Sequence, residues 1–136
     1  LSPELKWEGE WQHPIIEHEG KQTTINAFLS SDKAGDYLEV PFTGTCVYVQ
    51  GNLQDNFGIL EAYVDGKLMQ TRDMHIRKEW NWHSQATAVW ITGLSDEQHL
   101  LRVVVTGRKN PLATGTEIQL GRVVSYHGDI PVPKET

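Results

Sequence analysis

The sequence predicts an all-β protein, an antiparallel β-sandwich, and three observations support that prediction. Apolar and polar residues alternate along several short stretches, as they do in strands that bury one face. Glycine-containing turns separate these stretches at near-regular intervals, which is typical of sandwiches and barrels. No long stretch has the period of about 3.6 residues that marks an amphipathic helix, and Ser95 to Gln98 could form one helical turn at most.

Each predicted strand has its own local signal. Tyr37–Phe42 alternates so that Leu38 and Val40 share one face. Asp65-Gly66 separates two such runs and is a strong signal for a two-residue hairpin, and Gly121 indicates a bulge. The predicted strands are Trp7–Trp11, Thr23–Leu29, Tyr37–Phe42, Thr45–Gln50, Ile59–Val64, Lys67–Met69, Ala86–Ile91, Leu100–Val105 and Ile118–Val124.

Size and composition indicate one globular module. The 136 residues, 38% hydrophobic and 22% charged, suit a single domain. We expect the module to span residues 1–128, a proline-containing linker to span 129–136, and the domain to be a monomer. The net charge of −6, without a block of Lys or Arg, argues against nucleic acid or an anionic membrane as partner. No apolar run is long enough to span a membrane.

The single cysteine, Cys46, excludes an internal disulfide and leaves the redox compartment open. It stands in an apolar run beside Val47. A small buried thiol is therefore expected rather than a nucleophile.

Four segments, in this order, resemble the galactose-binding-domain-like jelly roll. The resemblance extends over about Trp7 to Tyr126. Over this length the sequence is similar to carbohydrate-binding modules attached to bacterial polysaccharide-degrading enzymes and SGNH-type esterases. The segments are Gly35–Thr45 (GDYLEVPFTGT), Tyr63–Gly66 (YVDG), Gly93–Val103 (GLSDEQHLLRV) and Val105–Pro111 (VTGRKNP).

The resemblance implies two antiparallel sheets whose loops bind ligands at one end, in some members with a structural calcium. It implies an exported bacterial accessory module, secreted, periplasmic or at the cell surface, that is covalently linked to a catalytic domain. One position departs from the pattern, because Gly121 stands where the last strand usually carries Asp. A role that depends on that Asp is not expected here.

No catalytic residue is predicted. The sequence lacks G-x-S-x-G, G-D-S, the P-loop and H-E-x-x-H. Its 18 carboxylates leave a glycosidase pair open by number alone, but Asp36, Glu39, Glu61 and Asp65 lie at predicted strands and turns, where solvation is the default. The chain is therefore expected not to be an enzyme by itself.

Metal ligation is weakly indicated. His75, His83, His13 and His127 have spacings that match no compact zinc pattern. A structural calcium stays open, since aspartates stand in predicted turns, although none belongs to an EF-hand loop. These aspartates are Asp32, Asp36, Asp55 and Asp65. No other cofactor is predicted.

The segment Lys78–Ser84 (KEWNWHS) is the strongest indication of a ligand. In an extended chain Trp80 and Trp82 point the same way. Pyranose rings stack C–H groups on flat aromatic faces and pair their hydroxyls with polar side chains. The alternative is that one of the two tryptophans caps the core. The predicted carbohydrate-binding residues are His75, Arg77, Trp80, Asn81, Trp82, His83, Arg108 and Asn110.

Two of these predictions have their own alternatives. Arg108 and Arg77 could pair with a uronic acid carboxylate. Arg108 and Asn110 could instead serve turn chemistry, since Asn-Pro fixes a bend. The outer sheet face, with Glu61, Tyr63 and Asp65 in alternation, is a rival location for the site.

The sequence therefore predicts a non-catalytic carbohydrate-binding module that targets an attached enzyme to a polysaccharide. One alternative is a structural spacer domain of a secreted esterase or glycoside hydrolase, with no ligand of its own. A stand-alone hydrolase is the third hypothesis. The sequence names neither the sugar nor the parent enzyme.

Overall fold

The structure, a computed structural model, describes residues 6–8, 15–18, 21–24, 29–77 and 85–126. This part of the chain contains eleven strands. They are β1 (Lys6–Glu8), β2 (Ile15–His18), β3 (Lys21–Thr24), β4 (Leu29–Ser31), β5 (Tyr37–Gly44), β6 (Cys46–Asn52), β7 (Ile59–Val64), β8 (Lys67–Asp73), β9 (Gln85–Ile91), β10 (Glu97–Val105) and β11 (Ile118–Tyr126).

The strands form two packed antiparallel sheets, which confirms the predicted β-sandwich. One sheet has five strands in the order β1-β5-β10-β7-β8, and the other has four in the order β4-β11-β6-β9. β2 and β3 form a separate two-stranded hairpin. The described residues include no helix, so none there has the length and apolarity needed to cross a bilayer.

The hairpin between β7 and β8 confirms the two-residue turn. Val64 pairs with Lys67, and the φ angles of Asp65 and Gly66 are +52° and +82°. Two positive φ angles in succession match the right-handed twist of the flanking strands. Asp65 thus belongs to the turn, whereas the sequence had placed it in alternation on the outer sheet face.

Two further local predictions have different outcomes. The register of β11 against β6 shifts between Leu120 and Val123, which confirms a bulge at Gly121. The prediction of a helical turn at Ser95 to Gln98 is wrong. This stretch bends once, and β10 begins at Glu97, because Glu97 and Gln98 pair with the end of β5.

The core lies between the two sheets. β5 and β7 alternate between buried and half-buried residues along most of their length, and each fully buried Leu or Phe contributes about 1.5–3 kcal/mol. Cys46 is fully buried, as predicted, and burial raises the pKa of its thiol to about 11. The largest fully buried side chains include Phe57, Leu29, Leu60, Met74, Leu101, Ile118 and Leu120.

The edge strands β8 and β9 connect the two sheets. The backbone N–H of Trp90 donates to Oε1 of Gln70 over 2.9 Å. The indole of Trp90 is half-buried and packs edge-on against Tyr126, with ring centroids 6.4 Å apart. Trp90 therefore packs on the outside of its sheet.

Candidate functional site

Three connections meet at one end of the sandwich. They are residues 53–58 between β6 and β7, residues 74–77 after β8, and residues 106–117 between β10 and β11. Each carries a buried apolar side chain, since Phe57 is 1%, Met74 0% and Ala113 5% exposed. These anchors fix the connections to the core, so the end of the sandwich is a packed surface.

Backbone hydrogen bonds join the three connections to one another. The N–H of Met74 donates to the carbonyl of Gly58 over 2.9 Å, and the N–H of Gly58 donates to the carbonyl of Glu117 over 2.9 Å. The N–H of Thr114 donates to the carbonyl of Asp55, also over 2.9 Å. A ligand at this end would therefore meet loops already held in place, which lowers the entropy cost of binding.

The two flanks of segment 78–84 adjoin the same short stretch. His75 forms an isolated parallel β-bridge with Gln54, and the N–H of Ile76 donates to the carbonyl of Gln54 over 3.1 Å. On the other flank, Gln85 pairs with Asn52. The predicted residues Trp80, Asn81, Trp82 and His83 lie outside the described residues.

Asp73, which the sequence analysis did not single out, brings two predicted residues together. Its Oδ1 accepts the backbone N–H of His75 over 3.0 Å, and its Oδ2 accepts Nδ2 of Asn110 over 3.0 Å. The only sequence signal is an Asp, whose side chain can accept a backbone N–H two residues further on, and that is too common to be specific. Asn110 also caps its own turn, because its Oδ1 accepts the N–H of Leu112 over 2.9 Å.

The two predicted arginines are placed differently. Nη2 of Arg108 donates to Oε2 of Glu61 over 2.9 Å, so its guanidinium lies on the outer face of the five-stranded sheet. Arg77 is exposed at the end of the described stretch that precedes residue 78. The structure thus joins His75 and Asn110 through Asp73, and it places Arg108 beside Glu61.

Asp65, His99 and Ser95 form a contact series with the residue types of a hydrolytic triad. Nδ1 of His99 donates to Oδ2 of Asp65 over 2.6 Å, and Nε2 donates to the backbone carbonyl of Ser95 over 2.8 Å. The Ser95 hydroxyl is 3.5 Å from Nε2 and donates instead to Oε1 of Glu97 over 2.7 Å. Both ring nitrogens of His99 therefore carry protons, and the imidazole is not poised as a base toward Ser95.

The described residues contain no group of three or more His, Cys, Asp or Glu side chains that could hold a metal. Glu117 is half-buried, and burial, with a smaller effect of the Asp32 carboxylate, raises its pKa. Two carboxylates supply fewer than the roughly six to eight oxygens that calcium takes. These residues by themselves do not make a calcium site.

The chain is similar in sequence to one characterised enzyme over most of its own length. It is 27% identical over 107 residues to an A type blood α-D-galactosamine galactosaminidase of Flavonifractor plautii. That match covers 76% of this chain and 9% of the galactosaminidase. No protein-family model matches the sequence.

Solved structures share the fold at low sequence identity. The CBM36-1 domain of a multidomain xylanase, from the hindgut metagenome of Trinervitermes trinervoides, superposes with a TM-score of 0.52 and 10% identity, over 88% of this chain and 87% of that domain. The chain is a jelly-roll β-sandwich.

The jelly roll also matches part of a two-domain esterase (CEX) active on acetylated mannans. The TM-score is 0.60 at 16% identity, and the match covers 91% of this chain and 33% of the esterase chain. The jelly roll therefore spans about a third of that esterase, and nearly all of the xylanase domain.

Proposed function

We propose that the chain is a non-catalytic carbohydrate-binding module, galactose-binding-like in type, that recognises a polysaccharide and holds an attached enzyme to it. The observation that carries the proposal is the position of the flanks of segment 78–84. Both flanks adjoin Asn52–Gln54, at the end of the sandwich where Asp73 holds Asn110 beside His75. The described chain therefore ends at residue 77 and resumes at residue 85 beside the same fixed polar loops.

The chemistry of this end suits a hydroxyl-rich ligand. An indole face stacks on the C–H groups of a pyranose, and amide, imidazole and guanidinium groups pair with its hydroxyls. Besides Trp80 and Trp82, the proposed binding residues are His75, Arg77, Asn81, His83, Arg108 and Asn110. Arg108 contributes only where the ligand extends toward Glu61, its partner in the folded protein.

The proposal is tested by affinity gel electrophoresis on a panel of polysaccharides with Trp80→Ala and Trp82→Ala. A stacked ring contributes about 1 kcal/mol, so each substitution is expected to weaken retardation about five-fold. Met69→Ala is the matched control, because Met69 is an exposed apolar residue near the opposite end of β8. Retardation of both tryptophan variants at the wild-type level would refute the proposed site.

Exposed apolar side chains favour one alternative, a spacer domain that packs on its catalytic partner. Leu112 is 64% and Leu68 46% exposed, and a neighbouring domain would cover such residues. A spacer shows no retardation on any polysaccharide. Turnover of chromogenic esters or glycosides by this chain alone would instead establish a hydrolase.

The proposal also assigns a setting. A module that targets polysaccharide works outside the cytoplasm, so we place it in a secreted, periplasmic or cell-surface bacterial enzyme, with residues 129–136 as the linker. A structural calcium remains part of the proposal. If one is bound, EDTA lowers the melting temperature and added calcium restores it.

A further inference from the structure

The outer face of the five-stranded sheet carries an ordered set of side chains on its three central strands. Arg102 of β10 stands directly opposite Glu39 of β5 on one side and Tyr63 of β7 on the other. Two residues further along β10, Val104 stands between Tyr37 of β5 and Glu61 of β7 on the same outer face. Side chains directly opposite each other in neighbouring strands are close enough to form one continuous surface.

An open groove of about 380 Å³ lies along these rows. This volume lies at the lower end of ligand clefts, about 300–1,000 Å³, and suits one or two sugar rings. The groove is lined by Glu39, Tyr63, Gly66, Leu100, Arg102 and Val104.

The polar wall of the groove is held rigidly. Nε and Nη2 of Arg102 both donate to Oε2 of Glu39, over 3.0 and 2.8 Å. The guanidinium carbon also lies 4.3 Å from the centre of the Tyr37 ring. A guanidinium fixed on two sides presents its remaining donors in one orientation, and the adjacent carboxylate supplies acceptors.

The aromatic wall is held as well. The hydroxyl of Tyr63 donates to Oε1 of Glu61 over 3.0 Å, and Oε2 of Glu61 accepts Nη2 of Arg108 over 2.9 Å. A tyrosine bonded to the residue two positions earlier on its own strand leans along the strand, since that spacing is about 6.7 Å. The ring therefore lies over the sheet as a wall of the groove.

The floor and the open end complete the chemistry. Leu100 is 41% exposed although it is a large apolar residue in a central strand, and Val104 lies on the same face of that strand, on the other side of Arg102. Gly66 contributes no side chain, so the groove stays open toward the β7–β8 turn. Apolar floor, aromatic wall and a donor–acceptor pair are the groups that a pyranose needs.

We propose that this groove is a second carbohydrate-binding surface, which takes a neutral pyranose unit of a glycan chain. The ligand is neutral because the Arg102 and Glu39 charges in the wall balance each other, leaving no unpaired cation for a uronate. The proposal rests on the proposed function for its ligand class, and it is independent of segment 78–84 for its location.

The test follows backbone amide signals by ¹H–¹⁵N NMR while neutral oligosaccharides with gluco, manno, xylo and galacto configurations are added. The amides of Leu100, Arg102 and Val104 are expected to shift, and they are expected to shift also in the Trp80→Ala/Trp82→Ala double variant. Tyr63→Ala is expected to weaken this response about ten-fold. Tyr63→Phe, the matched control, keeps the ring and is expected to stay within about three-fold of the wild type.

The outcomes separate this proposal from the proposed function. Shifts confined to residues 74–77 and 110 overturn the second surface and leave the first intact. Shifts confined to residues 100–104 support the second surface and refute the first. No shift with any sugar overturns both. If the amide shifts of residues 100–104 depend on protein concentration and not on the concentration of added sugar, this face packs against other protein molecules, and the proposal is overturned. Melting curves of each variant verify folding.

Discussion

His99 and Asp65 connect two parts of the chain that are 34 residues apart. His99 is 6% exposed, and its two ring nitrogens donate to Asp65 and to the backbone carbonyl of Ser95. Oδ1 of Asp65 accepts the N–H of Leu100 over 2.9 Å. The histidine and aspartate therefore fasten the β7–β8 turn to the start of β10, and that is a structural role.

These contacts predict a specific dependence of stability on pH. The bond to Asp65, followed by the bond to the Ser95 carbonyl, raises the pKa of His99. The bond from His99, followed by the bond from Leu100, lowers the pKa of Asp65. His99 thus stabilises the fold fully below its unfolded pKa of about 6.5 and loses this effect as pH rises through its raised pKa. Asp65 stabilises the fold fully above its unfolded pKa of about 3.9, and it loses this effect as pH falls through its lowered pKa in the folded protein.

We expect His99→Gln to lower the free energy of unfolding by about 1–2 kcal/mol near pH 5.5, since Asp65 is half exposed to screening solvent. The difference from the wild type should shrink as pH rises above 7. Urea unfolding at pH 5.5, 7 and 9 measures this difference, and the wild type serves as the reference at each pH. A difference that stays constant across this range would contradict an imidazolium in the folded state.

At this scale the sequence indicated residue types better than partners. The resemblance marked Asp65 and His99 as motif members, yet nothing in the spacing says that one binds the other, because pairing follows from strand register. Asp73 was missed for the same reason. Its partner Asn110 is 37 residues away, and a single Asp at a strand end has no distinctive pattern.

At the scale of elements, alternation was a sound guide to the central strands. β5, β6, β7, β9, β10 and β11 each contain the run predicted for them almost completely. The start of β10 was missed because Glu97 and Gln98 have low strand preference, which pairing with β5 overrides. The loop end, where residues 53–58, 74–77 and 106–117 meet, was predicted as a ligand-binding region. The hydrogen bonds that hold these three connections together were not predictable, because they depend on tertiary contacts.

Gly58 determines how closely two of those connections approach. A Cβ at Gly58 would lie 2.7 Å from the carbonyl oxygen of Arg108 and 2.8 Å from Cα of Thr116. Both contacts are with backbone, so the loop 106–117 must move to make room. The loop carries Asn110, and its displacement would separate Asn110 from Asp73.

We therefore expect Gly58→Ala to cost about 1–3 kcal/mol of stability and also to weaken glycan binding. Gly93→Ala is the matched control, because Gly93 has a φ of +75° with nothing within 4 Å of an added Cβ. The backbone strain of an alanine at this positive φ is expected to lower the free energy of unfolding by about 1–2 kcal/mol, with no effect on the loop end. Thermal melting and affinity gels measure both properties. Equal glycan binding by the two variants would show that the loop position does not matter.

At the scale of the whole molecule, the two proposed surfaces lie on different parts of the sandwich. One is the loop end around segment 78–84, and the other is the outer face of the five-stranded sheet. The fold class was predictable because alternation and turn spacing are local. The groove was not, since Glu39, Tyr63 and Arg102 come from three strands whose order, β5-β10-β7, is not their order in the chain.

Two weak surfaces on one domain imply that a polymer is held better than its fragments. When one surface is occupied, neighbouring chain units reach the other at an effective concentration near the millimolar range for a short span. We expect the wild type to bind an insoluble neutral polysaccharide at least about ten-fold more tightly than the matching soluble oligosaccharide. Either Tyr63→Ala or Trp80→Ala/Trp82→Ala should bring this ratio down toward one, because each leaves a single surface.

Depletion binding to the insoluble polymer and calorimetry with the oligosaccharide provide the two affinities. Thr92→Ala, at an exposed position between β9 and β10, should keep the wild-type ratio. Both affinities should also be insensitive to added salt, since a domain of net charge −6 gains no counterion release from a neutral ligand. A ratio that Tyr63→Ala leaves unchanged would mean that one surface alone meets the polymer, and the sheet face would then be free for contact with a neighbouring domain.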